Sequence, residues 1–397
     1  MAGALDGLKV LDLSSHLSGP YCGMLLADHG ADVIKIERSN GGDEARGMPP
    51  YVSGESAPFM LWNRNKRSVT LDLKSAVGKT AMLKMVDQAD ILIENFRPGT
   101  LARLGLSYEI LSERNPRLIL GSISGFGQTG PYSPRGGFDL ITQGMSGLMS
   151  LCGPTDGPPF RLPIAISDVA AGVHLAVGIL CAVEARHRSG KGQKVDVALL
   201  DSAISFGVYE AAHVFATGER PPRLGQSHRG SSPYEVFETS DGWITIGAAQ
   251  QNFWEALCDL VNLPELKTDP RFRTNADRVS NNSLLVGILQ EKIRLRSSAH
   301  WLEAMDRAGI PSGPVLASDE ILSDPHVLAR EMVVEVDHPA AGRMKTLGVV
   351  AKLSETAGAV LSAAPRLGEH SDQILSTLNT GVASEPDRQV KPRDAAT

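Results

Sequence analysis

Cysteine is scarce in this 397-residue chain: Cys22, Cys152, Cys181 and Cys258 stand far apart, with no CxxC or Cys/His spacing among them. That scarcity excludes a disulfide scaffold and a structural zinc site, and fits reduced, mostly buried thiols in a cytoplasmic protein. An excess of charge is also missing. The 39 basic and 45 acidic residues leave a net charge of -6, no field for nucleic acid or anionic lipid. Any phosphate site must therefore come from a local basic cluster. The segment Met1 to Leu8 has no basic stretch followed by an apolar one, so no signal peptide is expected there. No long hydrophobic run occurs either. The longest uncharged apolar-rich stretch, Val169 to Val183, carries His174 and falls short of the roughly 18–20 residues of a membrane span. It reads as a buried helix, with His174 a satisfied core histidine. No internal repeat is found.

What is present is ordinary globular usage, 42% hydrophobic and 21% charged, over a length that predicts two or three domains. Leu8 to Leu13 reads as a short strand, Ser14 to Pro20 as a polar turn, Tyr21 to His29 as a helix stopped by Gly30, and Ala31 to Glu37 as a second strand. Further strands are expected at Val69 to Leu73, Asp90 to Glu94, Arg117 to Ile123 and Lys194 to Leu199, with a helix from about Ala76 to Ala89. Such alternation implies an α/β fold with a parallel sheet covered on both faces. The texture changes near residue 230. Residues 201–229 read as a linker, rich in Pro, Gly, Ser and Arg from Arg220 onward. Residues 230–330 read as a smaller α+β domain, opening with two strands between Tyr234 and Ile246. Residues 331–380 return to the large domain of residues 1–200, with a strand at Lys345 to Leu353, and Gly381 to Thr397 reads as a flexible tail.

One motif match is set aside. Gly125 to Gly130 satisfies GxGxxG after a strand, but Pro131 and Pro134 follow where a dinucleotide site needs a helix N-terminus. Asp168 is the stronger signal. It stands in the first turn of the apolar helix, where free N–H groups and the macrodipole favour an ionised carboxylate, and an ionised carboxylate is a competent nucleophile. An isolated Asp there equally reads as a helix cap. Asp12 and Glu94, at strand ends, read equally as structural caps.

Nine segments decide between these readings: Leu11 to Leu13 with Ser18 to Pro20, Ile34 to Arg38, Asn63 to Ser68, Glu94 to Gly99, Ser124 to Pro131, Ser167-Asp168, Gly190 to Gln193, Gly309 to Val315, and Leu367 to His370. In order and together they resemble the class III CoA-transferases, the formyl-CoA and carnitine-CoA transferase type related to the α-methylacyl-CoA racemases. The resemblance implies a Rossmann-like large domain, a smaller α+β domain and an interlocked homodimer. It implies acyl-CoA and carboxylic acid substrates, with no cofactor beyond CoA and no metal. It puts the acyl-accepting aspartate at Asp168, and CoA contacts at Leu17, Ser18, Arg38, Leu71, Lys74, Asn95, Phe96, Arg97, Arg103 and around Asp139. The basic residues among them fall at or just beyond strand ends, where phosphates are met on an open α/β sheet. His16, in the first βα loop, is a candidate substrate contact.

Two departures from the family pattern bear on the activity. The formyl-CoA members carry a glycine-rich loop where this chain reads Gln226 to Pro233, which argues against a formate/oxalate pair. His228 and Arg229 in that stretch are candidate contacts for a second carboxylate, pointing to a dicarboxylic acid. The racemases place a histidine before the aspartate that corresponds to Asp139, and this chain has Phe138, which accepts no proton. A 2-methylacyl-CoA racemase and a non-catalytic acyl-CoA-binding protein are the alternatives.

Overall fold

Six short segments form the strands of one parallel sheet in the computed structural model, which describes residues 3–378. They are β1 (Lys9–Asp12), β2 (Asp32–Glu37), β3 (Lys66–Thr70), β4 (Ile91–Glu94), β5 (Ile119–Ser124) and β6 (Lys194–Ala198), in spatial order 3-2-1-4-5-6. Side chains alternate across a strand, and here both faces are dry. Leu11, Ile34, Ile36, Leu92 and Leu120 join one buried cluster, while Val10, Val33, Ile91, Ile93 and Ile119 join another. Helix α2 (Ala76–Val86) covers the first face with Ala81, Met82 and Met85. The second is covered by α1 (Ser18–Asp28) through Cys22 and Leu26, and by α5 (Ile166–Ser189) through Leu175 and Ile179. Two further helices matter below, α3 (Tyr108–Arg114) and α4 (Asp139–Met145).

Strand order reverses at β1, which pairs with both β2 and β4. The loops leaving β1 and β4 diverge at such a point and open a crevice at the carboxyl ends of the strands. The first loop carries His16 to Ser18, the second Asn95 to Arg97.

The chain divides into two units. The first holds residues up to Gly147, Leu162–Val208 and the segment from His326 onward; the second holds Leu148–Arg161 and Tyr209–Pro325. The second unit has an antiparallel sheet of Ser312–Pro314, Trp243–Gly247 and Tyr234–Glu238, packed with helices around Phe237, Trp254, Phe272, Leu289 and Trp301.

Several expectations are corrected. The span 201–229 contains the helices Leu199–Ile204 and Val208–Thr217, because the Pro- and Gly-rich composition starts only at Arg220. Helix α1 starts at Ser18 rather than Tyr21: Pro20 lies in its first turn, where a missing N–H costs nothing. Strand β3 sits at Lys66–Thr70 rather than Val69 to Leu73, with Val69 opposite Ile36. The late strand is Gly342–Leu347, paired with Val333–His338. Helix α5 buries only one face: Val173, Val177 and Leu180 are exposed, and His174 is exposed with its ring 6.5 Å from that of Phe206. By length and composition α5 could cross a bilayer, and half of its apolar window is buried here. Cys22 and Cys258 are buried, Cys152 is half-buried, and Cys181 is exposed. The tail expected at 381–397 lies outside the described residues.

Candidate active site

Beneath the β1–α1 loop lies a buried set of charges. Lys35 stands in β2 between Ile34 and Ile36 and Lys66 opens β3, both fully buried beside Asp12 and Asp43. Lys66 reaches Asp12 at 2.9 Å and the carbonyl oxygen of Pro20 at 2.8 Å. Lys35 pairs with Asp43 at 2.8 Å and donates to the carbonyl oxygen of Ser14 at 2.9 Å. Burial by itself would raise the Asp12 and Asp43 carboxyls, but the lysines beside them hold both below the usual range. The other oxygen of Asp43 accepts from the His16 N–H at 3.0 Å, and His16 has a left-handed backbone, φ 60°. A non-glycine residue at such a φ is strained and persists only when its surroundings fix it. Here the Lys35–Asp43 pair does so.

Asn95, just past β4, ties the two loops of the crevice together. Its side-chain oxygen accepts from the Ser15 N–H (2.9 Å), and its amide donates to the Ser15 carbonyl (2.7 Å) and the Ser18 hydroxyl (3.4 Å). Glu94 is buried and accepts from the Phe96 N–H at 2.8 Å. Burial, with Asp196 adding to it, raises this carboxyl to about 7 against hydrogen bonds from Ser122 and Phe96.

Helix α5 brings Asp168 to the same loop. A Cβ at Gly172 would lie 2.7 Å from the carbonyl oxygen of Ser18 and 3.1 Å from the Tyr21 ring, so glycine there lets α1 and α5 touch. One turn earlier on α5 stands Asp168. Burial first, then the like charge of Asp139, raise its carboxyl to about 6; His16 and a hydrogen bond with Ser18 pull the other way. This corrects the expectation that the helix terminus dominates: the dipole's modest stabilisation is outweighed by desolvation and a like charge. At neutral pH the group is still mainly ionised. The helix has no capping side chain of its own, since its cap position is Ala165. Asp139 supplies the cap from α4, accepting from the Ser167 N–H at 2.9 Å.

The structure therefore brings His16, Ser18, Asp139 and Asp168 together, with Asn95 in contact with Ser18. Arg97 is exposed and lies against Gly136, where a Cβ would fall 2.9 Å from its guanidinium. Leu17 directly precedes α1 and Phe96 packs at the edge of the core. Arg38 is exposed, pairs with Glu44 at 2.9 Å and donates to the carbonyl oxygen of Gly42. Lys74 is exposed, its N–H bonded to Asp72, and Arg103 donates to Thr100. Leu71 is a buried core residue whose N–H donates to the carbonyl oxygen of Glu37 at 2.8 Å. His228 and Arg229 lie in the second unit and line a cavity of about 190 Å³ with Tyr209, Glu210 and Ser227. The His228 ring sits 5.3 Å from that of Tyr234, and Arg229 reaches Glu210 at 3.4 Å. Among the described residues no group of three His, Cys, Asp or Glu is arranged to hold a metal. Sequence reasoning passed over Lys35, Asp43 and Gln143. Lys35 between Ile34 and Ile36 in a buried strand was a usable signal; Asp43 and Gln143 carried none.

The model of CoA-transferase family III matches residues 5–371. The chain is 42% identical over 334 residues to an acetyl-CoA:oxalate CoA-transferase of Acetobacter aceti, covering 84% of this chain and 86% of that protein. It is 37% identical to a succinyl-CoA:glutarate CoA-transferase of Mus musculus, over 94% of this chain and 86% of that one. A crystal structure of a CAIB/BAIF family protein from Brucella suis superposes with a TM-score of 0.86 at 36% identity, covering 96% of this chain and 100% of that chain. With a family match over nearly its whole length and relatives of this identity, the chain belongs to CoA-transferase family III and is an enzyme that transfers CoA.

Proposed function

We propose that this enzyme moves CoA from an acyl-CoA thioester to a dicarboxylic acid, with Asp168 as a covalent nucleophile. The observation that carries the reading is the half-buried Asp168 carboxylate at the start of α5, facing His16 and Ser18 at the mouth of the β1/β4 crevice. A carboxylate oxygen of Asp168 attacks the thioester carbonyl, the C–S bond breaks, and CoA leaves as thiolate, giving a mixed anhydride. The thiolate attacks the aspartyl carbonyl and expels the donor acid as its carboxylate. An acceptor carboxylate attacks the resulting aspartyl thioester, releasing the thiolate again. The thiolate then takes the acceptor's acyl carbon, and Asp168 is regenerated. Backbone N–H groups near Ser18 and at the start of α5 suit the tetrahedral oxyanions.

CoA is assigned to Leu17, Ser18, Arg38, Leu71, Lys74, Asn95, Phe96, Arg97, Arg103 and the surroundings of Asp139. Support comes from the position of Leu17, Ser18, Arg38, Asn95, Phe96 and Arg97 just past the carboxyl ends of strands and from exposed guanidinium groups suited to phosphates. His228 and Arg229 are kept as candidate contacts for a second carboxylate, on the chemistry of the two side chains and the loose 3.4 Å pairing of Arg229 with Glu210. The oxalate and glutarate acceptors named for the relatives support the same class. The working form is a cytoplasmic homodimer that needs no cofactor beyond CoA.

The test is Asp168→Ala, combined with trapping by hydroxylamine. The variant should lose transfer while still binding CoA. The wild-type enzyme should be inactivated by hydroxylamine only when an acyl-CoA is present, with the adduct on Asp168. More than about a tenth of wild-type turnover in the variant would return Asp168 to a capping role. Rapid α-deuteration of a 2-methylacyl-CoA in heavy water without trapping would favour the racemase instead.

A further inference from the structure

We propose that Gln143 is a positioning residue for the nucleophile: it clamps the segment entering α5 and holds Asp139 where Asp139 caps that helix. The inference rests on Asp168 being the nucleophile.

Gln143 is fully buried, and its amide is used in every direction. Nε2 donates to the Asp139 Oδ2 at 2.8 Å, to the Ile164 carbonyl at 3.1 Å and to the Leu162 carbonyl at 3.4 Å. Oε1 accepts from the Leu162 N–H at 2.9 Å. Asp139 and Gln143 are i and i+4 on one face of α4, so the pair is set by helix geometry. The chain leaves the first unit after Gly147 and returns at Leu162. Two bonds from one side chain thus pin the point of return, four residues before α5 begins at Ile166.

Asp139 is held between these partners. One oxygen takes the Gln143 amide and the other takes the Ser167 N–H, so its carboxylate has a single orientation. Helix α5 has no other side-chain cap. Asp168 directly follows Ser167, and its carboxylate is surrounded by Asp139, His16 and Ser18. With the clamp loosened, the first turn of α5 frays and Asp139 turns away. The nucleophile then loses both its placement and the like charge beside it. Of the groups assigned to CoA only the surroundings of Asp139 touch the clamp, and none of these bonds involves the basic residues assigned to its phosphates, so most of the CoA contact is kept. Catalysis is more sensitive to such displacement than binding is, since near-attack geometry tolerates little error.

The test uses the full-length enzyme with Gln143→Glu and Gln143→Met. The first keeps the acceptor for Leu162 but turns an oxygen toward Asp139 and two carbonyls; the second keeps length and removes all four bonds. Both should lower kcat on the order of 10- to 100-fold while KM for the thioester and CoA affinity by calorimetry change less than about threefold. Hydroxylamine should still label Asp168, more slowly, and the acidic limb of the kcat–pH profile should move in both variants. A folded Gln143→Met enzyme with wild-type kcat would overturn the proposal, as would a loss appearing in KM alone. Recovery of both variants only as unfolded protein would assign Gln143 to folding and also overturn it. Failure of the Asp168 reading looks different: the wild-type enzyme itself would carry no hydroxylamine adduct there.

Discussion

Replacing Asp168 by Asn should abolish transfer and at the same time stabilise the protein at neutral pH. The Asp168 carboxyl titrates near 6 in the folded chain against 3.8 for an ordinary aspartate. At about 1.4 kcal/mol per tenfold change in proton affinity, holding the charged form costs on the order of 3 kcal/mol, trimmed toward 1 by the solvent that reaches it. Because the folded pKa is the higher one, the folded state binds the proton more tightly. The cost is therefore absent below about pH 4, grows as the pH rises to about 6, and is constant above that. Asn matches the shape, still accepts from Ser18 and carries no charge. A helix-capping role predicts the opposite sign, since removing a carboxylate from a first turn loses about 0.3–1 kcal/mol of dipole stabilisation. Thermal melts of both proteins at pH 4.5 and pH 8 separate the two. At about 2 °C per kcal/mol for a chain of this size, the Asn variant should melt a few degrees higher at pH 8, with a much smaller difference at pH 4.5. A lower melting point at pH 8, or a gain independent of pH, would refute the electrostatic reasoning.

Three further outcomes follow from the same geometry. Gly172→Ala places a methyl group against the Ser18 carbonyl, and should destabilise by about 1–3 kcal/mol and slow transfer by parting Ser18 from Asp168; a denaturant melt and a turnover assay check both. Asp12→Ala leaves Lys66 buried without its anion and should cost about 3–5 kcal/mol in denaturant unfolding, whereas a cost near zero would mean water reaches the lysine. Arg97→Ala and Arg38→Ala should each weaken CoA binding by about 1–3 kcal/mol in calorimetry, and unchanged affinity in both would mean the CoA site lies elsewhere.

The sequence by itself determined the fold class, because short apolar runs such as those of β1, β2, β4 and β5, separated by stretches of helical periodicity, are legible locally. It also singled out Asp168 and the two loops beside it as candidates, since nine ordered segments pointed to them by resemblance. Element boundaries were less legible: Pro20 reads as a turn locally, yet a first helical turn accepts it. The fate of the 24-residue helix α5 was not legible at all. An apolar run gives hydrophobicity but not the face on which a sheet will cover it, so Val173, His174 and Val177 were misread as core. Only the tertiary structure decided the chemical surroundings of Asp168. Asp139 and Gln143 come from a different helix than Asp168, and Lys35, Asp43 and Lys66 reach the β1–α1 loop from two other strands or their loops. A carboxylate's proton affinity depends on burial and on charges within a few ångströms. Those neighbours are 29 residues away in sequence at Asp139 and 152 at His16, distances that no local pattern spans.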